Sequence, residues 1–188
     1  MTRYLRLTGN IRYMSSQTFG GMDEKLFRLF VEKMAPYTRD FLKIEVLNVT
    51  PGNLETKLLY NKLFVGNELT RCMHGGVIAS LLDHSAGMAC WSSFKDDDTL
   101  CSTVDLRIDY LKPAPLEDLI CVSHVINSTD RLIRADATVY NSDKTIKIAT
   151  GRGLFNVYNS KLPNGITLNS LLKKKAKELW GEAPNGTK

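Results

Sequence analysis

The chain has 188 residues, 43% of them hydrophobic and 24% charged, which is typical of one globular domain with extensions. Its net charge of +5 comes mainly from the two ends, which hold Arg3, Arg6 and Arg12 before the first acid and four lysines in "LLKKKAKELW". The near-neutral centre argues against a nucleic-acid-binding face, and no apolar run reaches the roughly 20 residues of a membrane span.

The first segment, residues 1–22, has the composition of a targeting sequence. It contains arginine, serine and threonine but no acidic residue. On a helix, Tyr4, Leu7, Ile11 and Met14 fall on one stripe, the amphipathic, Arg-rich pattern of a mitochondrial presequence. We predict a removable mitochondrial targeting segment without core residues, and hence a matrix protein. A disordered basic tail is the alternative.

The following sequence predicts a short helix, two strands, one long helix and four more strands. The short helix has apolar positions at helical spacing over 23–34, and Pro36 ends it. The strand patterns occur at 41–50, 53–65, 100–111, 118–127, 132–141 and 145–158. Tight links between consecutive strands predict an antiparallel sheet around the lone long helix, an α+β fold. We place this domain at 23–160, and an amphipathic helix and tail at 161–188.

The long apolar helix, residues 77–91, is interrupted by Asp83. An unpaired buried carboxylate costs several kcal/mol unless something compensates. At 100° per residue the helix has a small-residue face around Asp83 and a bulky opposite face. The first face holds Ala79, Ser80, Ala86, Gly87 and Cys90, and the second holds Val77, Leu81, His84, Met88 and Trp91. This pattern fits either an acid paired within the core or an acid approached by a ligand.

The helix is preceded directly by His74, Gly75 and Gly76. Glycines at this position leave the first helical N–H groups uncovered, at the end where the helix dipole favours negative charge. The spacing therefore predicts an oxyanion-binding site at the helix start and an acid about two turns further along the same helix.

The chain carries two motifs, "HGGVIASLLDHSAGMA" and "TVDLRIDYLKPA". Through these motifs it resembles the hotdog-fold acyl-CoA thioesterases of the phenylacetyl-CoA (PaaI-like) type, over roughly residues 40–157. The resemblance implies a hotdog fold, an antiparallel sheet wrapped around one long central helix, here with N- and C-terminal helical extensions. It implies an acyl-CoA substrate and a homodimer or homotetramer. In that family the site lies between two subunits, with the acid from one and the glycine N–H from the other.

The resemblance also assigns catalytic roles to individual residues. Asp83 matches the acid that activates water or attacks the thioester carbonyl, and Gly75 matches the oxyanion donor. His74 matches the histidine that supports the loop, and Thr103 falls where related enzymes have a hydroxyl near the attacking water. A backbone donor aimed at the thioester oxygen is worth on the order of 3 kcal/mol, and a carboxylate base contributes about 10²–10⁴-fold.

Further substrate-binding candidates lie around these residues. Gly76 adjoins the oxyanion donor, and Lys112 and Arg152 could meet the phosphates of CoA. Many relatives have an asparagine six residues before the histidine, where this chain has Glu68, with Asn67 one position earlier. Whether Asn67 or Glu68 takes part in the site is left open.

The strand at 100–111 alternates two sets of residues. The apolar set is Val104, Leu106, Ile108 and Tyr110, and the polar set is Thr103, Asp105, Arg107 and Asp109. Thr103 is therefore predicted to share the polar face, with Asp105 and Asp109 as rival acids. The four cysteines and three histidines have no metal-ligand or redox spacing, so no metal and no cofactor are expected.

Two other functions compete with hydrolysis. One is a non-catalytic hotdog module that binds acyl-CoA or serves as a structural subunit, against which the buried acid argues. The other is a hotdog hydratase or dehydratase, whose histidine–acid arrangement is not found around this helix. Thiol release from a panel of acyl-CoAs separates an enzyme from a binding module.

Overall fold

The computed structural model describes residues 17–96, 98–159 and 166–180. The helices are α1 (Glu24–Lys33), α2 (Gly75–Ser92) and α3 (Leu168–Trp180). The strands are β1 (Ile44–Thr50), β2 (Asn53–Leu58), β3 (Val65–Asn67), β4 (Cys72–Met73), β5 (Thr99–Tyr110), β6 (Leu119–Ser128), β7 (Leu132–Tyr140) and β8 (Lys147–Asn159). A π-helical turn, Tyr37–Leu42, joins α1 to β1. Within the described ranges no helix has the length and apolarity that crossing a membrane requires.

One antiparallel sheet contains a strand from each of the six predicted segments, although the second strand ends at Leu58 and not at residue 65 as predicted. Its strand order is β1-β2-β6-β7-β8-β5, and every neighbouring pair is antiparallel. The turn between β1 and β2 uses Gly52 at φ +79°, a conformation that side-chain-bearing residues rarely adopt. The small β3–β4 hairpin was not predicted, because its strands of three and two residues are too short to show alternation.

Helix α2 lies against the sheet and forms the centre of the main core. Leu81 and Leu82 are fully buried, and burial of each such side chain is worth about 1.5–3 kcal/mol. Space for the helix comes from Gly151 on β8, where a Cβ would lie 3.3 Å from the methyl groups of Leu82. The close approach of helix and strand confirms the predicted arrangement of a sheet around one central helix.

A second, smaller core lies between α1, β1 and the end of α2. Helix α1 begins where the Asp23 carboxylate accepts a hydrogen bond from the Leu26 N–H at 2.9 Å. From this helix, Glu32 accepts a hydrogen bond from the Val46 N–H at 2.8 Å, and Arg28 donates one to the Val46 carbonyl. Helix α1 therefore covers the β1 edge of the sheet.

The second core includes residues from the segment that is predicted to be removable. Phe19 and Met22 are 2% and 1% exposed, and each donates its N–H to the carbonyl of the other. The Gly20 N–H donates to the Phe94 carbonyl at 3.0 Å. The expectation that residues 1–22 lack core residues is therefore wrong for the end of that segment. Residues 1–16, which carry the presequence pattern, lie outside the described residues.

The C-terminal helix forms where the sequence predicts it, and α3 lies beside α1. On this helix Ala176 is buried. Residues 161–165 and 181–188 of the predicted C-terminal segment lie outside the described residues.

Candidate active site

Asp83, near the middle of α2, is held by the edge strand β5. Its side chain is half-buried, and its Oδ1 accepts a hydrogen bond from the Thr103 hydroxyl at 2.9 Å. This bond fixes one carboxylate oxygen and leaves the other without a bond among the described residues. The structure thus brings together two of the residues that the resemblance assigns to catalysis.

A β-bulge in β5 determines where Thr103 points. Thr103 pairs with Phe155 on β8, whereas Asp105 pairs with Leu154, so Val104 is an extra residue. Directly paired residues point to the same face of a sheet, and Phe155 faces α2. The prediction that Thr103 shares the polar face of Asp105 and its neighbours is therefore wrong, because the bulge reverses the alternation at that point.

A pocket of about 210 Å³ adjoins Asp83 between α2 and β5. It is lined by Asp83, His84, Gly87, Met88, Trp91, Cys101, Ser102, Thr103 and Phe155. Bulky helix residues therefore lie beside the acid, and their predicted placement on an opposite face is wrong for His84, Met88 and Trp91. Trp91, at one end of this lining, contacts α1, whose Phe30 ring lies 4.3 Å from the Trp91 ring, centroid to centroid.

Burial controls the charge of two residues that line this pocket. It lowers the pKa of His84 to about 4, against the opposing effect of a hydrogen bond with the Val31 backbone, so the imidazole is neutral at pH 7. Burial and the nearby Asp83 charge raise the pKa of the Cys101 thiol to about 12. Cys101 therefore stays protonated at neutral pH and does not supply a thiolate nucleophile.

The start of α2 presents one unused backbone donor. The N-cap residue His74 accepts the Gly76 N–H on Nδ1 at 2.9 Å and the Val77 N–H on its carbonyl oxygen at 3.0 Å. Among the described residues no acceptor pairs with the Gly75 N–H. Of the first three helical N–H groups, Gly75 thus offers the free one, as an oxyanion site requires.

Two further contacts hold this turn. The His74 N–H donates to the Phe64 carbonyl at 2.8 Å. Gly66 on β3 packs so closely that a Cβ there would lie 2.5 Å from the His74 Cα, so only glycine fits. The β3–β4 hairpin therefore packs directly against the turn at His74.

A second pocket, of about 340 Å³, lies beside Gly75. It is lined by Cys72, Met73, Gly75, Ile78, Tyr110, Leu111, Lys112, Pro113, Ala114 and Ile148. Lys112 is exposed at this pocket, which is compatible with its predicted contact to CoA. Tyr110, predicted from the alternation only as an apolar strand position, donates its hydroxyl to the Gly75 carbonyl at 3.0 Å. The motif "TVDLRIDYLKPA" contains this tyrosine, but nothing in its alternation indicates that the hydroxyl forms a hydrogen bond.

Other predicted substrate contacts lie elsewhere. Asn67 accepts the Leu69 and Thr70 N–H groups and so shapes the hairpin loop, while Glu68 is exposed beside it. The Gly76 N–H, predicted to face substrate, is used by His74. These three residues are not brought to Asp83 within one subunit.

Arg152 lies on the outer face of the sheet, away from α2 and Asp83. Its neighbours Gly151 and Gly153 point toward the helix side, whereas Arg152 forms two hydrogen bonds of 2.7 Å with Asp136. This bidentate pair lowers the pKa of the Asp136 carboxyl below its usual range. Asp105 and Asp109, the rival acids, share this outer face through their pairing with Leu154 and Thr150.

Comparisons with known proteins identify the family of this chain. A family model described as the thioesterase superfamily matches residues 72–147. The medium/long-chain acyl-CoA thioesterase YigI of Escherichia coli (strain K12) is 31% identical over 94 residues, 44% of this chain and 61% of YigI. The matched part thus spans about three fifths of that relative.

Two further relatives match over more of their length. A Halobacterium salinarum protein with a provisional esterase name is 30% identical over 125 residues, 63% of this chain and 82% of that protein. The crystal structure of zebrafish thioesterase superfamily member 2 has a TM-score of 0.59 at 25% identity, covering 70% of this chain and 93% of the other. The chain belongs to the thioesterase superfamily and has its hotdog fold.

Proposed function

We propose that the protein is an acyl-CoA thioesterase, which hydrolyses an acyl-CoA thioester to a free acid and CoA. The observation that carries this proposal is the pairing of Asp83 with the Thr103 hydroxyl beside a pocket, together with the free Gly75 N–H. An acid that can take a proton and a backbone donor that can stabilise an oxyanion are the two groups that this hydrolysis needs. The name of YigI supports the choice of substrate class.

In the proposed reaction, Asp83 takes a proton from water while the water oxygen attacks the thioester carbonyl carbon. The carbonyl oxygen becomes negatively charged and accepts a hydrogen bond from a Gly75 N–H. The C–S bond then breaks, and the CoA thiolate takes up the proton. Direct attack by the Asp83 carboxylate, followed by hydrolysis of the anhydride, uses the same groups and remains the alternative.

The site requires two subunits. Gly75 and Asp83 are eight residues apart on one helix, about 12 Å along its axis, which is too far for one carbonyl group to contact both. We propose that two copies pair through the open edge of β5, so that Asp83 meets the partner subunit's Gly75. The pocket beside Asp83 then receives the acyl group, and Lys112 meets the CoA phosphates.

Asp83→Asn tests this mechanism, because it removes the base with almost no change of shape. We expect turnover to fall by about 10²-fold or more while folding, assembly and acyl-CoA binding are retained. Asp105→Asn, on the outer face of the adjoining strand, is the matched control and keeps wild-type turnover.

The measurement is thiol release from acyl-CoAs of increasing chain length, with binding followed in parallel. Near wild-type hydrolysis by folded Asp83→Asn would contradict the mechanism. A wild-type protein that binds acyl-CoA but releases no thiol would instead be the non-catalytic hotdog module.

We further propose mitochondrial targeting by the basic N-terminal segment, which rests on its composition and helical periodicity. A fusion of residues 1–22 to a fluorescent protein should enter mitochondria. The same fusion with Arg3, Arg6 and Arg12 changed to glutamine is the control and should stay cytosolic. Cytosolic signal from the unchanged fusion contradicts the proposal.

A further inference from the structure

The hydroxyl of Tyr110 joins the edge strand β5 to the first residue of α2. It donates to the Gly75 carbonyl at 3.0 Å, and a Cβ on Gly75 would lie 3.5–3.6 Å from Cε1, Cζ and the hydroxyl of the ring. The tyrosine is 55% exposed, so burial of its ring does not account for this position. We propose that Tyr110 is a positioning residue that orients Gly75 as the oxyanion donor, an inference that rests on the proposed thioesterase function.

Gly75 has no side chain that could restrain its own backbone. Because glycine has the widest backbone freedom of any residue, the two peptide groups that flank Gly75 depend on hydrogen bonds for their orientation. His74 holds one end of each group, since its carbonyl accepts the Val77 N–H and its Nδ1 accepts the Gly76 N–H. Tyr110 holds the other end of the second group, the Gly75 carbonyl, and so adds a restraint from β5 to the residue that carries the free N–H.

In each subunit, β5 positions the base of one proposed site and the oxyanion donor of the other. Thr103 and Tyr110 both point to the helix side of β5, since they pair with Phe155 and Ala149 on β8. Thr103 donates to the acid at the middle of α2, and Tyr110 donates to the carbonyl at its start. One strand therefore sets the orientation of the base and of the oxyanion donor along the helix.

The expected effect follows from how oxyanion donors work. A donor lowers the barrier only if it is already aimed at the developing charge, within about 0.5 Å and 10–20°. Loss of one neutral hydrogen bond that maintains this aim should reduce kcat about tenfold. KM should change less than about twofold, because the donor acts mainly on the transition state.

Tyr110→Phe tests the inference, with Tyr158→Phe on β8 as the matched control at another exposed tyrosine. We would measure kcat and KM on acyl-CoAs, the oligomeric state, and the backbone ¹⁵N order parameter of Gly75 in the substrate-free protein. Tyr110→Phe should lower kcat and the order parameter of Gly75 while assembly is unchanged. The control should match wild type in all of these measurements.

Two results would overturn the inference. The first is wild-type kcat in Tyr110→Phe while Asp83→Asn is inactive, which leaves the proposed function standing. The second is loss of activity accompanied by loss of assembly, which would make Tyr110 an interface residue. If wild type itself releases no thiol, the proposed function fails, and the order parameter alone decides whether Tyr110 restrains Gly75.

Discussion

The two edges of the six-stranded sheet differ in whether another part of the same chain covers them. At the β1 edge, Glu32 and Arg28 of α1 satisfy the N–H and carbonyl of Val46, and α1 packs over the strand. At the other edge, β5 is the last strand of the sheet and runs for 12 residues with Val104 57% exposed, and no other strand pairs with its outer side among the described residues. Long uncovered edges invite pairing with another chain.

Because of this difference, we expect the covered edge to determine the stability of the subunit and the open edge to determine assembly and turnover. The covered edge contains apolar packing and hydrogen bonds within one chain, so changes there should alter the free energy of unfolding. The open edge carries Thr103 and Tyr110, which hold the two halves of the proposed site. Changes to Thr103 or Tyr110 should therefore alter turnover, and changes at the pairing edge of β5 should alter assembly, with little effect on the stability of the subunit.

Removal of residues 1–22 should cause the largest change on the covered side. It deletes Phe19 and Met22, and because burial of each is worth about 1.5–3 kcal/mol, the free energy of unfolding should fall by about 4 kcal/mol. Removal of residues 1–16 leaves both side chains in place and is the control. Urea unfolding of the two truncated proteins checks this, and equal midpoints would contradict it.

Acid should weaken the contact between α2 and α1. The pKa of His84 is lowered to about 4 in the fold, so the unfolded chain, with its ordinary value of 6.5, takes up this proton first as the pH falls. Stability should therefore decrease between about pH 7 and pH 4, by up to about 3 kcal/mol, and this contribution ends below pH 4.

His84→Gln removes this titration, and His124→Gln, at an exposed position, is the control. Urea unfolding at pH 7, 5.5 and 4.5 should give a flatter pH dependence for His84→Gln than for wild type. The same slope in all three proteins would show that His84 does not titrate as described.

A charge placed on the open edge should break assembly. Val104→Lys puts two symmetry-related lysines into the proposed interface. A loss of about 2 kcal/mol in the free energy of association corresponds to roughly 30-fold weaker association. Turnover should fall in parallel at low protein concentration. Leu47→Lys on β1, 43% exposed at the covered edge, is the matched control. Sedimentation analysis over a concentration series measures this, and unchanged association of Val104→Lys would place the interface elsewhere.

Loss of one hydrogen bond at the covered edge should have the smallest effect. Glu32→Ala leaves the Val46 N–H without its acceptor and should cost about 1 kcal/mol of stability, with assembly and turnover unchanged. Lys25→Ala, exposed on the same helix, should change neither. A drop in turnover for Glu32→Ala would contradict the separation of the two edges.

The sequence by itself determined the strands, the central helix and the positions of its acid and glycines. Apolar residues repeat at period two along six segments, and tight links between neighbours favour antiparallel pairing, so local pattern was sufficient. The sequence places the helix start at residue 77, two residues late, because the apolar pattern does not show that Gly75 and Gly76 already belong to the helix capped by His74.

Only the tertiary structure decided which side chains meet. The bulge at Val104 turns Thr103 toward Asp83, and a bulge depends on pairing with β8, which the alternation within one strand does not record. The hydrogen bond from Tyr110 to Gly75 spans 35 residues, and the burial of Phe19 and Met22 depends on α1 folding over them. Contacts between distant segments follow from packing, which a periodic pattern along the chain does not specify.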